Sequence, residues 1–272
     1  MKISKTRTLV ECAIMIALAT VLSLIKIIDL PYGGSVTAAS MLPIILVAYR
    51  HGTGAGLASG LVYGIIQQLL GLNTLSYVTT WQSVIAVVML DYILAFLVIG
   101  LGGIFRKAIS DQAASLVTGS IFVCLLRYIC HVISGATVWA GLSIPTTGAV
   151  VYSLAYNATY MIPETLVLVV VGYYFSSLID FRGEQPKRLV KTGKPAASLP
   201  AIAGGLILAA AAVFDIVKIF SKVQNAETGD WDAAGLTAVD WKLVAIVTCA
   251  ATVVSVILFA VGKKMSAKSE KA

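Results

Sequence analysis

Long apolar segments recur along the whole chain, and their length sets the predicted architecture. A helix of about 20 apolar residues crosses a hydrocarbon core of about 30 Å. The pattern predicts eight such spans, over residues 9–30, 38–50, 55–71, 83–105, 113–135, 148–180, 198–221 and 241–262. We therefore predict an all-α integral membrane fold, with an N-terminal bundle of six helices and two additional helices after it.

Basic residues occur in every second connection between these spans. The N-terminus, the Arg50-His51 turn, the Arg106-Lys107 turn, the segment 182–194 and the C-terminal tail are all basic. The connections between them contain no Lys or Arg, or carry an excess of acidic residues. Lys and Arg accumulate in the cytoplasmic loops of membrane proteins. The pattern thus predicts a multi-pass protein of the cell membrane with both termini in the cytoplasm.

The apolar pattern stops between the sixth and seventh spans. Residues 182–197 combine prolines and a glycine pair with five basic residues, a composition typical of a linker. We therefore predict a six-helix membrane domain over residues 1–181, a basic cytoplasmic linker over residues 182–197, and a two-helix extension over residues 198–272.

The composition of the chain indicates which partner its basic residues face. The chain is 58% hydrophobic and only 12% charged, whereas about 25% of residues are charged in a soluble domain. Its formal net charge is +7, but the basic residues lie in short loops and tails beside the spans. There they face anionic lipid headgroups. The predicted partner of these charges is the lipid bilayer, and nucleic acid is not expected.

Few side chains within the spans can carry chemistry, because an ionisable group in hydrocarbon costs about 3 kcal/mol. Asp91 lies in the fourth span and His131 near the outer end of the fifth. Tyr152 and Asn157 occupy the outer third of the sixth span. We expect these four side chains at a similar depth, where they outline a wet pocket that faces outward.

Aromatic residues accompany this zone. Tyr92 follows Asp91 directly, and Tyr77 and Trp139 lie in outer loops. Each ring face attracts a desolvated cation by about 0.5–2 kcal/mol. A carboxylate among such rings therefore favours a cationic or electron-poor ring compound. For Tyr77 a plain interfacial aromatic belt is the slightly favoured interpretation.

Three ionisable residues also have structural interpretations. Asp91 could form an ion pair with Arg127, because charges inside membranes usually pair. His131 could be a hydrogen-bonded core histidine. Glu164 follows Pro163 in the sixth span, where it could relay protons or serve as a paired acid at a helix kink.

Motifs for catalysis and for ATP binding are missing from the sequence. It contains no phosphate-binding loop, no nucleophile elbow and no H-E-x-x-H zinc pair. The two histidines, His51 and His131, are far apart, and the four cysteines form no C-x-x-C pair. We expect no enzymatic activity, no metal and no cofactor, and any ATP hydrolysis must take place in another chain.

A set of motifs resembles the thiamine-specific S components, the substrate-binding membrane subunits of energy-coupling factor (ECF) transporters. The resemblance extends over about residues 8–180. Its motifs are LDY at 90–92, GLGGIFR at 100–106, RYICH at 127–131, Gly135, Trp139, and VYSLAYN at 151–157. The resemblance does not extend to the last two predicted spans.

The resemblance implies a thiamine pocket and a set of partners. The residues that it implies at the pocket are Asp91, His131, Trp139, Tyr152 and Asn157, with Tyr92 at the edge. The implied partners are a transmembrane coupling subunit and two ATPase subunits. Ala13 and Ala17 form a small-residue seam on the first span. This seam resembles the docking face for the coupling subunit, although packing inside the bundle is an equal alternative.

Two positions depart from the family pattern. Gly34 stands where the family usually has a tryptophan, and Asp91 replaces a glutamate. Either Tyr77 or Trp81 supplies the missing ring, or the pocket takes a smaller molecule such as a pyrimidine precursor.

The predicted function is capture of thiamine, or of a related pyrimidine or thiazole compound, at the extracellular face for an ATP-driven importer. The alternative is a self-sufficient, ion-coupled secondary transporter for a small organic cation, with Asp91, Arg127 and Glu164 as a relay. A membrane enzyme acting on lipids is a third hypothesis, but no acidic or metal-binding cluster supports it.

Overall fold

The computed structural model describes residues 4–30, 33–78, 80–138, 146–189, 199–223 and 233–269. The chain divides into two compact units, Met1–Leu189 and Val190–Ala272. Helices dominate both units, and the strands within the described ranges are short.

The first unit contains seven α-helices and two small hairpins among its described residues. Its elements are α1 (Lys5–Leu24), β1 (Lys26–Asp29), β2 (Ser35–Thr37), α2 (Leu42–His51), α3 (Thr53–Leu70), α4 (Trp81–Val87), α5 (Ala95–Leu97), α6 (Gln112–Thr137), α7 (Thr147–Leu178), β3 (Ile179–Asp180) and β4 (Lys187–Arg188). A π-helical segment, Val88–Leu94, joins α4 to α5, and 3-10 turns cover Leu72–Tyr77, Val98–Leu101 and Ile104–Lys107.

The second unit is a pair of helices, α8 (Leu199–Val223) and α9 (Trp241–Ser269), with a 3-10 turn at Ala233–Ala238. Ser255 in α9 donates a hydrogen bond to the carbonyl of Gly204 in α8. Thr248 in α9 also donates a hydrogen bond to α8, where its hydroxyl oxygen lies 2.5 Å from the Asp215 carboxylate.

The predicted all-α membrane fold is confirmed. Six helices are long and apolar enough to cross a membrane, namely Lys5–Leu24, Trp81–Lys107, Gln112–Thr137, Thr147–Leu178, Leu199–Ile219 and Trp241–Gly262. A seventh apolar helix, α2, has only 10 residues, and Pro43 is its second residue. The short predicted span had suggested a helix of this kind. The structure describes a helical segment at each of the eight predicted spans.

The first predicted span is wrong at its C-terminal end. It was expected to continue to residue 30, but α1 ends at Leu24 and the chain turns into the antiparallel pair β1 and β2. We call this pair the outer hairpin. Lys26 and Asp29 explain the difference, because they form an exposed ion pair at 3.0 Å that would be costly inside hydrocarbon.

Glycines bring α3 against the fourth span. A Cβ atom added to Gly60 would lie 2.6 Å from the carbonyl oxygen of Phe96, and one added to Gly64 would lie 2.8 Å from that of Tyr92. Side chains at these positions would separate the two backbones. These two glycines therefore determine how closely the fourth span, including its π-helical segment, packs against α3.

Polar side chains tie the helices together at one end of the first unit, which we call the basic end. Arg50, at the C-terminal end of α2, is buried and bonds Glu11 in α1 at 3.0 Å. The same guanidinium donates to the carbonyl of Phe181, just after α7, at 2.8 Å. Arg106 donates to the carbonyls of Tyr49 and Arg50. The outer hairpin follows the C-terminal end of α1, and its strand β2 meets α7 at Glu164, near the middle of that helix.

Candidate functional site

Asp91 occupies the middle of the π-helical segment, and its carboxylate faces α6 and not the lipid. Its side chain is 13% exposed. His131 Nδ1 lies 2.7 Å from one carboxylate oxygen, and the Ser134 hydroxyl donates to the other at 2.6 Å. Single π-helical turns inside α-helices recur at functional sites, because they displace side chains from the regular helical register.

His131 has one ring nitrogen engaged and one available. Because a carboxylate accepts hydrogen bonds, Nδ1 carries the proton that is donated to Asp91. Nε2 is fully buried and has no hydrogen-bond partner among the described residues. A buried polar atom without a partner is costly in a protein interior. The free nitrogen therefore marks a place where a ligand or a water molecule can bind.

Asn157 lies on α7, on the other side of His131. Its amide nitrogen donates to the carbonyl and to the hydroxyl of Ser153, and its amide oxygen accepts the Tyr160 hydroxyl at 2.6 Å. Ser153 in turn donates to the carbonyl of Val132 in α6. The Asn157 amide is thus held in one orientation by its own helix and by α6.

Tyrosines at helical spacing line one face of α7. The rings of Tyr152 and Tyr156 stack with centroids 6.2 Å apart, and Tyr156 packs edge to face on Tyr160 at 6.0 Å. Tyr160 also packs edge to face on the His131 ring, at 6.0 Å. The three tyrosines extend an aromatic surface from the His131 ring along α7 toward its N-terminus.

Two predicted ring residues have different surroundings. Tyr92 points to the 3-10 turn that follows α3, where its hydroxyl lies 2.8 Å from Thr74 Oγ1. Tyr77 is 52% exposed at the end of a 3-10 turn. Trp139 lies outside the described residues. Among the predicted site residues, Asp91 and His131 are in direct contact, and Asn157 and Tyr152 are connected to them through Tyr160 and Tyr156.

Arg127 does not form the ion pair with Asp91 that the sequence left open. Its guanidinium carbon lies 4.2 Å from the centroid of the Phe96 ring, and one of its nitrogens contacts Met41 Sδ at 3.2 Å. Its Nε is buried without a partner among the described residues. The positive charge of Arg127 is therefore held by an aromatic face and by a weak acceptor.

Glu164 serves as a structural anchor in this arrangement. The carboxylate is 2% exposed and accepts the Thr37 backbone N–H at 2.6 Å and the Thr37 hydroxyl at 2.7 Å. Glu164 therefore binds strand β2 of the outer hairpin to α7. Of the two interpretations from the sequence, the partnered acid after Pro163 agrees with these contacts.

Sequence reasoning missed Ser134 and Tyr160. Ser134 is three residues after His131, so the two share a helix face, and the same holds for Tyr160 and Asn157. Helical spacing from the predicted residues was the signal that could have found them. Among the described residues, no group of three or more His, Cys, Asp or Glu side chains could hold a metal ion.

The fold and the site define a class: a polytopic α-helical membrane protein that holds a carboxylate, an imidazole and stacked tyrosines inside its bundle. Residues 9–179 match the family described as thiamine transporter protein (Thia_YuaJ). The chain therefore belongs to the thiamine transporter family. The predicted resemblance to thiamine-specific S components is confirmed, and the family is one of transporters.

Individual relatives agree with this assignment. The chain is 36% identical over 174 residues to the thiamine transporter ThiT of Bacillus subtilis (strain 168), which covers 60% of this chain and 86% of that protein. It is 29% identical over 181 residues to ThiT of Lacticaseibacillus paracasei, with coverage of 60% and 84%. A solved structure of ThiT from Listeria monocytogenes aligns with a TM-score of 0.50 and 26% identity, over 62% of this chain and 92% of that one.

Proposed function

We propose that this chain is the substrate-binding subunit of an ATP-driven, ECF-type importer and that it captures thiamine or a related pyrimidine or thiazole compound. One observation carries the proposal. In a member of the thiamine transporter family, a buried carboxylate is held by His131 and Ser134, and the same imidazole leaves its Nε2 free.

The chemistry of the site suits a cationic heterocycle. The thiazolium ring of thiamine carries a fixed positive charge, which the Asp91 carboxylate attracts. With its proton on Nδ1, His131 presents a lone pair at Nε2 and accepts a hydrogen bond from an amine, such as that of an aminopyrimidine. Tyr152 supplies a ring face, and Asn157 fixes the neighbouring wall. Trp139 and Tyr77 remain predicted contacts of the ligand.

We infer that the site opens to the extracellular side. The basic end carries Arg7, Arg50, His51 and Arg106, and the positive-inside rule puts such a cluster in the cytoplasm. Both termini are then cytoplasmic. Asp91 lies ten residues after Trp81, the first residue of α4, so it is about 15 Å below the outer end of that helix.

Energy for uptake comes from partner subunits in this proposal, because the sequence contains no phosphate-binding loop. In this proposal a transmembrane coupling subunit contacts α1. Ala13 and Ala17 are exposed there, between the larger exposed side chains of Leu9 and Leu18. Small residues on a helix face let a second helix approach closely within lipid. The coupling subunit would bring two ATPase subunits with it.

Ligand titration of the purified chain tests the binding role. Isothermal titration calorimetry with thiamine, its phosphates and its pyrimidine half should show tight binding of at least one of them by the isolated chain. Asp91→Ala and Trp139→Ala should weaken this binding. Unaltered affinity in both variants would reject the site. Uptake by the chain alone in ion-loaded vesicles would instead support the secondary transporter.

Co-purification tests the docking face. Ala17→Trp should reduce recovery of the coupling subunit while thiamine affinity stays unchanged. Ile121→Trp is the matched control, because Ile121 is 49% exposed on α6, away from the proposed face. Equal recovery with Ala17→Trp and Ile121→Trp would remove α1 as the docking helix.

We further propose that the six-helix domain binds substrate without the last two helices. The family match ends at residue 179, before α8. A chain shortened after Leu189 keeps Gly183 and Glu184, whose carbonyls accept hydrogen bonds from Arg50. Thiamine affinity of this shortened chain should equal that of the full chain, and loss of binding would assign the second unit a role in the site.

A further inference from the structure

Tyr160 touches both the outer hairpin and the side chains around Asp91. Its side chain is 6% exposed and lies between Gly34 on one side and His131 and Asn157 on the other. We propose that Tyr160 is a positioning residue, which couples the docking of the outer hairpin to the orientation of the ligand-binding groups. The ligand-dependent part of this inference rests on the proposed function.

The contact with Gly34 is too close for any other residue. A Cβ atom built on Gly34 would lie 2.6 Å from Cδ1 and 2.8 Å from Cε1 of the Tyr160 ring. Real Cβ atoms do not approach ring carbons this closely, so a side chain at position 34 must move the ring. The loop is itself closed by a hydrogen bond from the Leu30 N–H to the Gly34 carbonyl at 2.7 Å. The Tyr160 ring therefore fills the space that a side chain at position 34 would need.

A second contact fixes the same strand one helical turn further along α7. Glu164 follows Tyr160 by four residues, so the two side chains share a helix face. Glu164 accepts two hydrogen bonds from Thr37, three residues after Gly34. Strand β2 is thus docked on α7 at two points, a polar one at Glu164 and an aromatic one at Tyr160.

The other side of Tyr160 orients the site. Its hydroxyl donates to the Asn157 amide oxygen at 2.6 Å, which sets the direction of that amide. Its ring packs on the His131 imidazole with an interplanar angle of 66° and a centroid distance of 6.0 Å. His131 in turn donates to Asp91. A displaced Tyr160 ring would therefore disturb the amide and the imidazole together.

Hydrogen exchange of the ligand-free protein tests the hairpin contact without reference to any substrate. In Tyr160→Leu, amides of strand β2 should exchange at least about tenfold faster, because the aromatic docking point is lost. Tyr160→Phe keeps the ring and should leave their exchange unchanged. Tyr174→Leu is the control on the same helix, since Tyr174 is 48% exposed. Equal exchange in Tyr160→Leu and Tyr174→Leu would overturn the inference.

Thiamine titration of Gly34→Ala, Tyr160→Leu and the double variant tests the coupling to the site. If Gly34 acts through the Tyr160 ring, Gly34→Ala weakens binding in the wild-type background and has no further effect beside Tyr160→Leu. Tyr160→Phe should weaken binding about 2- to 10-fold through loss of its hydroxyl. Gly172→Ala, whose added Cβ would meet Leu42 at an ordinary 3.4 Å, is the control and should bind normally.

The outcomes separate the two proposals. Additive losses for Gly34→Ala and Tyr160→Leu, or full affinity in Gly34→Ala, overturn the positioning role even though the wild type binds thiamine. A wild-type protein that binds no thiamine rejects the proposed function instead. In that case the exchange rates of strand β2 alone decide whether Tyr160 docks the hairpin.

Discussion

Replacing Asp91 by asparagine should remove most of the attraction for a cation while it preserves the shape of the site. Asparagine has the same size, and its amide can still form hydrogen bonds with the two groups that now donate to the carboxylate, Ser134 and His131. The amide oxygen can accept from the imidazole Nδ1–H, so the tautomer is kept, and the hydroxyl can rotate to accept from the amide nitrogen. The substitution therefore isolates the charge of Asp91 from its packing.

The size of the effect follows from the burial of the carboxylate. The Asp91 side chain is 13% exposed, so an effective dielectric constant of about 20 is appropriate for a ligand cation at about 4 Å. Coulomb's law then gives about 4 kcal/mol, which corresponds to about a thousandfold weaker binding of thiamine. Asp29 makes a useful contrast, because its side chain is 58% exposed and pairs with Lys26 in the outer hairpin. Asp29→Asn should change the affinity less than about threefold.

Calorimetric titration with two ligands gives the decisive comparison. Thiamine carries a fixed charge, whereas its pyrimidine half is neutral at pH 7. Asp91→Asn should weaken thiamine binding about a thousandfold and should leave binding of the pyrimidine half nearly unchanged. If both ligands lose affinity by the same factor, the carboxylate acts through packing or hydrogen bonds and the charge argument is wrong. Full thiamine affinity in Asp91→Asn would refute the site itself.

Four further substitutions are expected to change the free energy of unfolding, measured on detergent-purified protein. Glu164→Ala should destabilise the protein by about 3 kcal/mol, because the buried Thr37 N–H loses its acceptor and the Thr37 hydroxyl keeps only Ser40 Oγ. Gly60→Ala should cost about 1–3 kcal/mol through overpacking against the fourth span, whereas Gly54→Ala, with open space around it, should stabilise α3 by up to about 1 kcal/mol. Gln68→Leu should stabilise by about 1 kcal/mol, because both amide atoms are buried without partners among the described residues. A sign opposite to any of these would refute the corresponding contact.

The helical spans were predictable because membrane crossing demands a length of apolar sequence that few other structures require. The end of the first span was not, since Ile25, Ile27 and Ile28 extend the apolar run past the point where α1 stops. What interrupts the apolar run is the charge of Lys26 and Asp29, the first and last residues of strand β1. The sequence did not predict the π-helical segment around Asp91 either. Such a segment depends on how the bundle accommodates one extra residue in a helix, which composition does not reveal.

The candidate site was predictable in its charged members and not in its neutral ones. Asp91 and His131 stand out because ionisable side chains are rare in spans. Ser134 is one of many serines in apolar helices, and nothing in its identity shows that it donates to a carboxylate at 2.6 Å. The contact that the Arg127 side chain makes could not be predicted either. Helical spacing puts Arg127 on the same helix face as His131, but it does not decide between a contact with Asp91 and one with the Phe96 ring.

The separation of Asp91, Arg127 and Glu164 explains how the site could bind a cation. Arg127 lies on the Phe96 ring, and among the described residues no ion pair joins its guanidinium to Asp91 or to Glu164. An ion pair between Asp91 and Arg127 would have to break before a ligand cation could bind, and breaking a buried pair costs about 3–5 kcal/mol. Hydrogen bonds from His131 and Ser134 stabilise the carboxylate without cancelling its charge. Among the described residues that pair is absent, so a ligand cation at Asp91 would not have to displace Arg127.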